Sequence, residues 1–195
     1  MDEIELERRR PVWTALSNLF LDTEVRPLVV NAAAACLSSG YSDEQLQTIW
    51  RHEVSPVLGW RLLGFGVGWE WVRFDQDGLE SEILKRRPKW TDRIAARLNR
   101  KVWVEVSRLR MWLASWPTSD REAIVRALTT LTHGVYEETS YVPEHATNVT
   151  TEVLDKIWEE GAVPLIKALY VQSDEAPLED FLERGREVLQ KMKKR

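Results

Sequence analysis

The chain has 195 residues, 44% of them hydrophobic and 30% charged, with a formal net charge of −4, a balance that builds a core and excludes a disordered chain. No apolar run approaches the roughly 20 residues of a membrane span, and the acidic opening Met1-Asp2-Glu3-Ile4-Glu5-Leu6-Glu7 carries no signal-peptide core. The one cysteine, Cys36, excludes an intramolecular disulfide and a thiolate zinc cluster, so the expected setting is the cytoplasm, away from any membrane.

Helical spacing runs through almost the whole chain. Pro11 is placed at the first position of a helix whose stripe is Val12, Trp13, Leu16, Leu19 and Phe20. Asp22 or Thr23 is expected to cap a second helix, through Val29, Val30 and Ala32–Ala35, that stops near Gly40. Ser42-Asp43-Glu44-Gln45 has the capping-box pattern and opens a third, through Leu46, Ile49 and Trp50. Pro56 lets a short fourth helix, Val57–Leu63, begin at an angle. Gly64–Gly68 breaks the regularity, and Asp75 or Asp77 starts a helix with Leu79, Ile83 and Leu84.

Composition shifts at Lys85-Arg86-Arg87-Pro88-Lys89. The expected division is an N-terminal helical region, 8–87, and a C-terminal one, 88–195, packed together as one globule. Thr91 is expected to cap a helix through Ile94, Ala95 and Leu98. Val102–Val106 has strand propensity, but the stripe Val102, Val106, Leu109, Leu113 and Trp116 keeps the helical period until Pro117. Ser119-Asp120-Arg121-Glu122 reads as a second capping box, opening a helix with Ile124, Ala127, Leu128 and Leu131 that Gly134 closes. Val135–Asn148 is polar and aperiodic, a loop. Thr150 or Thr151 caps Val153, Leu154, Ile157 and Trp158; Gly161 ends that helix, Pro164 opens another, and Pro177 begins the last, with Phe181, Leu182, Val188, Leu189 and Met192. No internal repeat is legible. The predicted fold is all-α, a multi-helix orthogonal bundle of about eight to ten helices with little or no strand.

Ten tryptophans stand against four phenylalanines and four tyrosines. Large amphipathic indoles in a helical chain suit thick interhelical seams, with the ring N–H reaching a polar partner.

The string Arg9-Arg10-Pro11-Val12-Trp13-Thr14-Ala15-Leu16-Ser17-Asn18-Leu19-Phe20-Leu21-Asp22-Thr23-Glu24 resembles the R-x-P-V-W-x-A-L-S-x-L-F-L-D-T-E opening of an uncharacterised family of small bacterial proteins. The likeness continues through Ser42–Leu46, Ile49-Trp50, Glu53–Gly59 and Gly68–Phe74, covering roughly residues 8 to 85. The family carries no assigned activity. Small proteins of this kind look like those encoded singly beside bacterial toxin genes, so the resemblance implies an immunity role.

The catalytic inventory is empty. His52-Glu53 begins like a zincin motif, but Pro56 stands where the second histidine would be. His133 and His145 have no third ligand placed by spacing. Cys36 sits on an alanine-rich face, where a buried thiol is inert. Gly64–Gly68 has no preceding strand and no following Lys-Ser/Thr pair, so it is not a phosphate cradle. No metal, no cofactor and no enzymatic activity is expected.

Charge is segregated. Ser81–Arg110 holds ten basic residues against three acidic ones, and Ser119–Glu160 holds nine acidic against three basic. The leading expectation is a protein that binds another protein, an immunity or antitoxin-like factor meeting a toxin with a basic active site. Glu137, Glu138, Tyr141 and Glu144 of the aperiodic segment are its candidate contact residues. The first alternative is a nucleic-acid-associated module in which Arg86, Arg87 and Lys89 of the basic segment 85–110 take phosphates; the second is an enzyme of unrecognised type.

Overall fold

The computed structural model describes residues 2–20, 25–58, 76–86, 92, 94, 97, 100–134, 149–170 and 177–194. Among these, every regular element is helical and no strand occurs, so the protein is an all-α, multi-helix assembly.

Helix α1, Glu3–Ser17, starts well before Pro11. Asp2 accepts the Glu5 N–H at 2.8 Å, and Glu3 and Glu5 in the first turn complement the helix dipole. Pro11 is therefore an interior residue, contrary to the expectation from its usual preference for the first position. A tight turn, Asn18–Phe20, follows and buries Leu19 and Phe20. Helix α2, Val25–Ser38, leads to Gly40, whose φ of +68° turns the chain toward α3 at little steric cost. Helix α3, Asp43–Ile49, carries the expected capping box, with both reciprocal Ser42–Gln45 bonds present.

Pro56 does not start a helix at a new angle. The chain passes from α3 through a π-helical segment, Trp50–Val54, into α4, Ser55–Leu58. Proline offers no N–H and its ring crowds the carbonyl four residues back. Widening the turn relieves the crowding, and the Ser55 N–H reaches five residues back to the Trp50 carbonyl. Helix α5, Gln76–Lys85, buries Leu79 and Ile83 and leaves Leu84 exposed.

Helix α6, Arg100–Ala114, confirms the helical reading of Val102–Val106. Its last carbonyls are met by Arg121, whose Nη2 donates to the Ala114 carbonyl and whose Nε donates to that of Trp116, both at 2.9 Å. Helix α7, Thr118–His133, has no capping box: Pro117 stands at its N-cap, and the Ser119 hydroxyl donates to Asp120 instead. Helix α8, Thr151–Lys156, is capped by Thr150 and runs through a second π-helical segment, Ile157–Ala162, into α9, Val163–Leu169. Gly161 thus lies inside a continuous helical run, not at its end. Helix α10, Leu178–Lys193, follows Pro177. The caps expected at Asp22, Thr23 and Thr91, the Gly64–Gly68 segment, and most of the expected boundary at 85–89 lie outside the described residues.

The chain divides into two compact units, Met1–Thr23 with Ala32–Ser107, and Glu24–Asn31 with Arg108–Arg195. In the first, α1 packs against the Trp50–Val54 segment and α5. In the second, α7 packs against Ile157–Ala162, and α10 closes over α7, α8 and α9. Lys193 pairs with Asp155 there, and Arg26 donates to the Leu169 carbonyl at 3.2 Å while lying 5.4 Å from the Phe181 ring.

These units carry an internal repeat that the sequence reading did not find. Glu44, Leu46, Ile49, Trp50 and Pro56 recur in the same order and spacing as Glu152, Leu154, Ile157, Trp158 and Pro164. Ser42 and Thr150 cap the two stretches with the same bond to the third residue of the helix. Both stretches widen at the tryptophan, and the Val163 N–H reaches the Trp158 carbonyl as that of Ser55 reaches Trp50. The buried positions also agree, with Leu46, Ile49, Trp50 and Val54 answering to Leu154, Ile157, Trp158 and Ala162.

Candidate functional site

The densest polar constellation among the described residues is on α1 in the first unit. Arg9 lies one turn before Trp13, so both side chains leave the same face. The Trp13 indole N–H donates to Glu53 Oε2 at 2.6 Å, and Arg9 donates to Glu53 Oε1. Both carboxylate oxygens are taken by α1, which makes Glu53 a tie between that helix and the Trp50–Val54 segment.

The tie extends outward. Arg9 Nε also donates to Glu5 at 2.8 Å, and the Tyr41 hydroxyl donates to Glu5 at 3.0 Å. The bond from Arg9, then that from Tyr41, holds the Glu5 carboxyl below its ordinary value. Burial, then the bond to Glu5, pushes the Tyr41 phenol up. The Arg8 guanidinium lies 4.0 Å from the centre of the Tyr41 ring and donates to the Ser39 carbonyl at 2.8 Å. Arg10 grips Glu80 of α5 with two bonds, at 2.7 and 3.2 Å, and its bond holds that carboxyl below the ordinary value too. Beneath this network Trp50 stacks between Phe20 and Trp103, with 5.4 Å between centroids on each side.

The second unit repeats the device. Arg108 lies one turn before Trp112 on α6; the Trp112 indole N–H donates to Glu160 Oε2 at 3.0 Å, and Arg108 reaches the Glu160 carbonyl at 3.4 Å. Glu160 belongs to the Ile157–Ala162 segment, as Glu53 belongs to Trp50–Val54. The glutamate is displaced by one residue, and Gly161 stands at the position matching Glu53. A Cβ on Gly161 would come within 3.1 Å of the Trp112 ring and 3.2 Å of Leu128 Cδ1, so the backbone there approaches closer than a side chain allows. The copies differ in burial: the Glu53 side chain is 16% exposed, whereas Glu160 is a surface residue.

Of the candidate site residues singled out from sequence, only Arg86 is described, and it belongs to neither tie. Glu137, Glu138, Tyr141 and Glu144 lie outside the described residues, as do Arg87 and Lys89. Arg86 lines a groove of about 350 Å³ with Val57, Ser81, Glu82 and Lys85, and its Nη2 is bonded to the buried Asp92 carboxylate. His52 and His133 are exposed, and Cys36 is buried. Among the described residues no group of three or more His, Cys, Asp or Glu is placed to hold a metal ion, and no helix is long and apolar enough to cross a membrane. Sequence reading missed the paired ties. The pattern they share, Arg-x-x-x-Trp at Arg9/Trp13 and Arg108/Trp112, also occurs at Arg86/Trp90, so the sequence alone does not single them out.

No curated protein and no solved structure matches this chain. Comparison with family models matches residues 7–122 to a domain of unknown function, DUF7079. That span holds both arginine–tryptophan pairs and Glu53, over more than half of the chain. The chain belongs to the DUF7079 family of domains of unknown function.

Proposed function

We propose that the chain acts without catalysis, by binding another protein in the cytoplasm, as a bacterial immunity or antitoxin-like factor that neutralises a toxin. The observation that carries this reading is the recurrence of the Arg–Trp–Glu tie. A device built twice, at different burial, once in each unit, serves the scaffold. This assigns the R-x-P-V-W opening, which we read as the family's own pattern, to architecture. Repeated helical units of this kind leave recognition to their surfaces and connecting segments. The acidic, aromatic stretch with Glu137, Glu138, Tyr141 and Glu144 suits a cationic partner site, where desolvated acids slow dissociation and rim acids speed encounter.

The test is capture from the native host. The parent chain is expected to recover one protein with a basic active site, and replacing Glu137, Glu138 and Glu144 by Lys is expected to abolish that capture at an unchanged melting temperature. Equal capture by parent and triple variant would remove the acidic segment from the recognition surface.

A further inference from the structure

The repeat extends back from α3 and α8 to the helices before them. Val29, Ala32, Ala33 and Cys36 of α2 are buried at the same spacing as Ile124, Ala127, Leu128 and Leu131 of α7. Asn31 and Arg126 are exposed at equivalent places, and Ser38 and His133 are the exposed last residues of the two helices. Just beyond, the Ser39 N–H donates to the Ala35 carbonyl at 3.0 Å and the Gly134 N–H to the Thr130 carbonyl at 2.9 Å. All these pairs lie at one constant offset in the sequence.

The copies match again from the next caps onward. The Leu46 N–H donates to the Ser42 carbonyl and the Leu154 N–H to that of Thr150, both at 2.9 Å. An apolar residue precedes each cap, Tyr41 and Val149, as in a hydrophobic staple. Before it stand Gly40, which takes a φ of +68°, and Asn148, a residue type that tolerates that conformation better than most. Between the matched stretches the lengths differ: residues 40 and 41 join Ser39 to Ser42, whereas residues 135–149 join Gly134 to Thr150, thirteen residues more. With Asn148 and Val149 answering to Gly40 and Tyr41, the excess is residues 135–147. Equivalent helix ends need the same span, and the first copy closes it with two residues. The excess contains Glu137, Glu138 and Glu144 with Tyr136 and Tyr141, and no Lys or Arg.

We infer that residues 135–147 are an insertion into the second copy of a tandem repeat, one that the fold does not require and that is given over to binding a cationic partner protein. Its boundaries rest on the repeat. Its role rests on the partner-binding reading, all of whose contact residues, Glu137, Glu138, Tyr141 and Glu144, lie inside it. The chain then separates into a duplicated scaffold and one added recognition segment, joined at Gly134 and Asn148.

The test is the full chain with residues 135–147 deleted, so that Gly134 joins Asn148 and the connection has the length of the first copy's. This variant is expected to keep the parent's helical signal by circular dichroism and to melt at or above the parent's temperature, because closing a shorter loop costs less chain entropy. A second variant carries thirteen Gly and Ser residues in place of 135–147, and is expected to be folded and to melt no higher than the deletion. Neither is expected to capture the protein that the parent recovers from the host. A deletion variant that is unfolded, or that melts below the Gly-Ser variant, would overturn the insertion, because the second connection would then need its length; the partner-binding reading would still be read from the Gly-Ser variant. Folded variants that capture the partner as the parent does, or a parent that recovers none, would overturn the recognition role together with the partner-binding reading, and would leave the repeat in place.

Discussion

Glu53→Gln should cost the fold more than Glu160→Gln, although both glutamates accept the same indole bond. In each case Gln keeps an acceptor for the tryptophan N–H and removes the charge. At Glu53 the loss includes the ion pair with Arg9, whose side chains are 16% and 22% exposed. Exposed pairs contribute about 0–1 kcal/mol, and breaking a buried pair costs about 3–5 kcal/mol. A mostly buried pair falls between, so about 2–3 kcal/mol is expected. At Glu160, a surface carboxylate, Arg108 donates to the backbone carbonyl, which the substitution leaves in place. The expected cost is about 0–1 kcal/mol. Urea unfolding reads both as a shift of midpoint at constant slope, and amide exchange should locate the Glu53→Gln loss in α1 and Trp50–Val54. Equal costs, or a larger cost at Glu160, would refute the assignment of the first tie as the principal one.

Three further outcomes follow from the same geometry. Leu16 is fully buried on α1, and Leu16→Ala should lower stability by about 2–5 kcal/mol, read against the exposed control Glu183→Ala on α10. Gly161→Ala should be destabilising by about 1 kcal/mol in a thermal melt: crowding of Trp112 and Leu128 costs about 1–3 kcal/mol, and alanine's helix propensity returns about 1 kcal/mol. Because the folded-state carboxyl of Glu5 is held low, the unfolded chain takes up its proton first; the stability it contributes is complete above its ordinary value and is lost as pH falls through the folded one. Glu5→Gln should therefore be less stable than the parent at neutral pH, with the gap closing below about pH 4.3.

The helical class and most helix interiors were legible because burial follows a 3.6-residue period, as at Leu16, Leu46, Leu109 and Leu128. Pro117 and Pro177 do mark helix limits, but boundaries failed at Pro11, Pro56 and Pro164, where proline also reads as punctuation. Asp2 caps a helix that simply continues through Pro11, and π-helical widening carries the chain past Pro56 and Pro164. A local pattern cannot show that a cap upstream or a wider turn accommodates the ring. The tie was illegible for a different reason: Trp13 and Glu53 are far apart in sequence, and nothing in either neighbourhood names the other. The repeat was obscured because its copies share few identities outside Ile-Trp and Pro, and because the glutamate slips by one residue between them.

The central claim, that the opening string builds the scaffold and the acidic segment does the recognising, is tested most directly by comparing two folded variants against the partner recovered from the host. Dissociation constants for that partner, measured by calorimetry well below the melting transition, are predicted to be unchanged for Glu53→Gln despite its lower stability. For Glu137→Lys/Glu138→Lys/Glu144→Lys, which keeps its stability, binding is predicted to be lost. Lost binding in Glu53→Gln with intact binding in the triple variant would contradict the account.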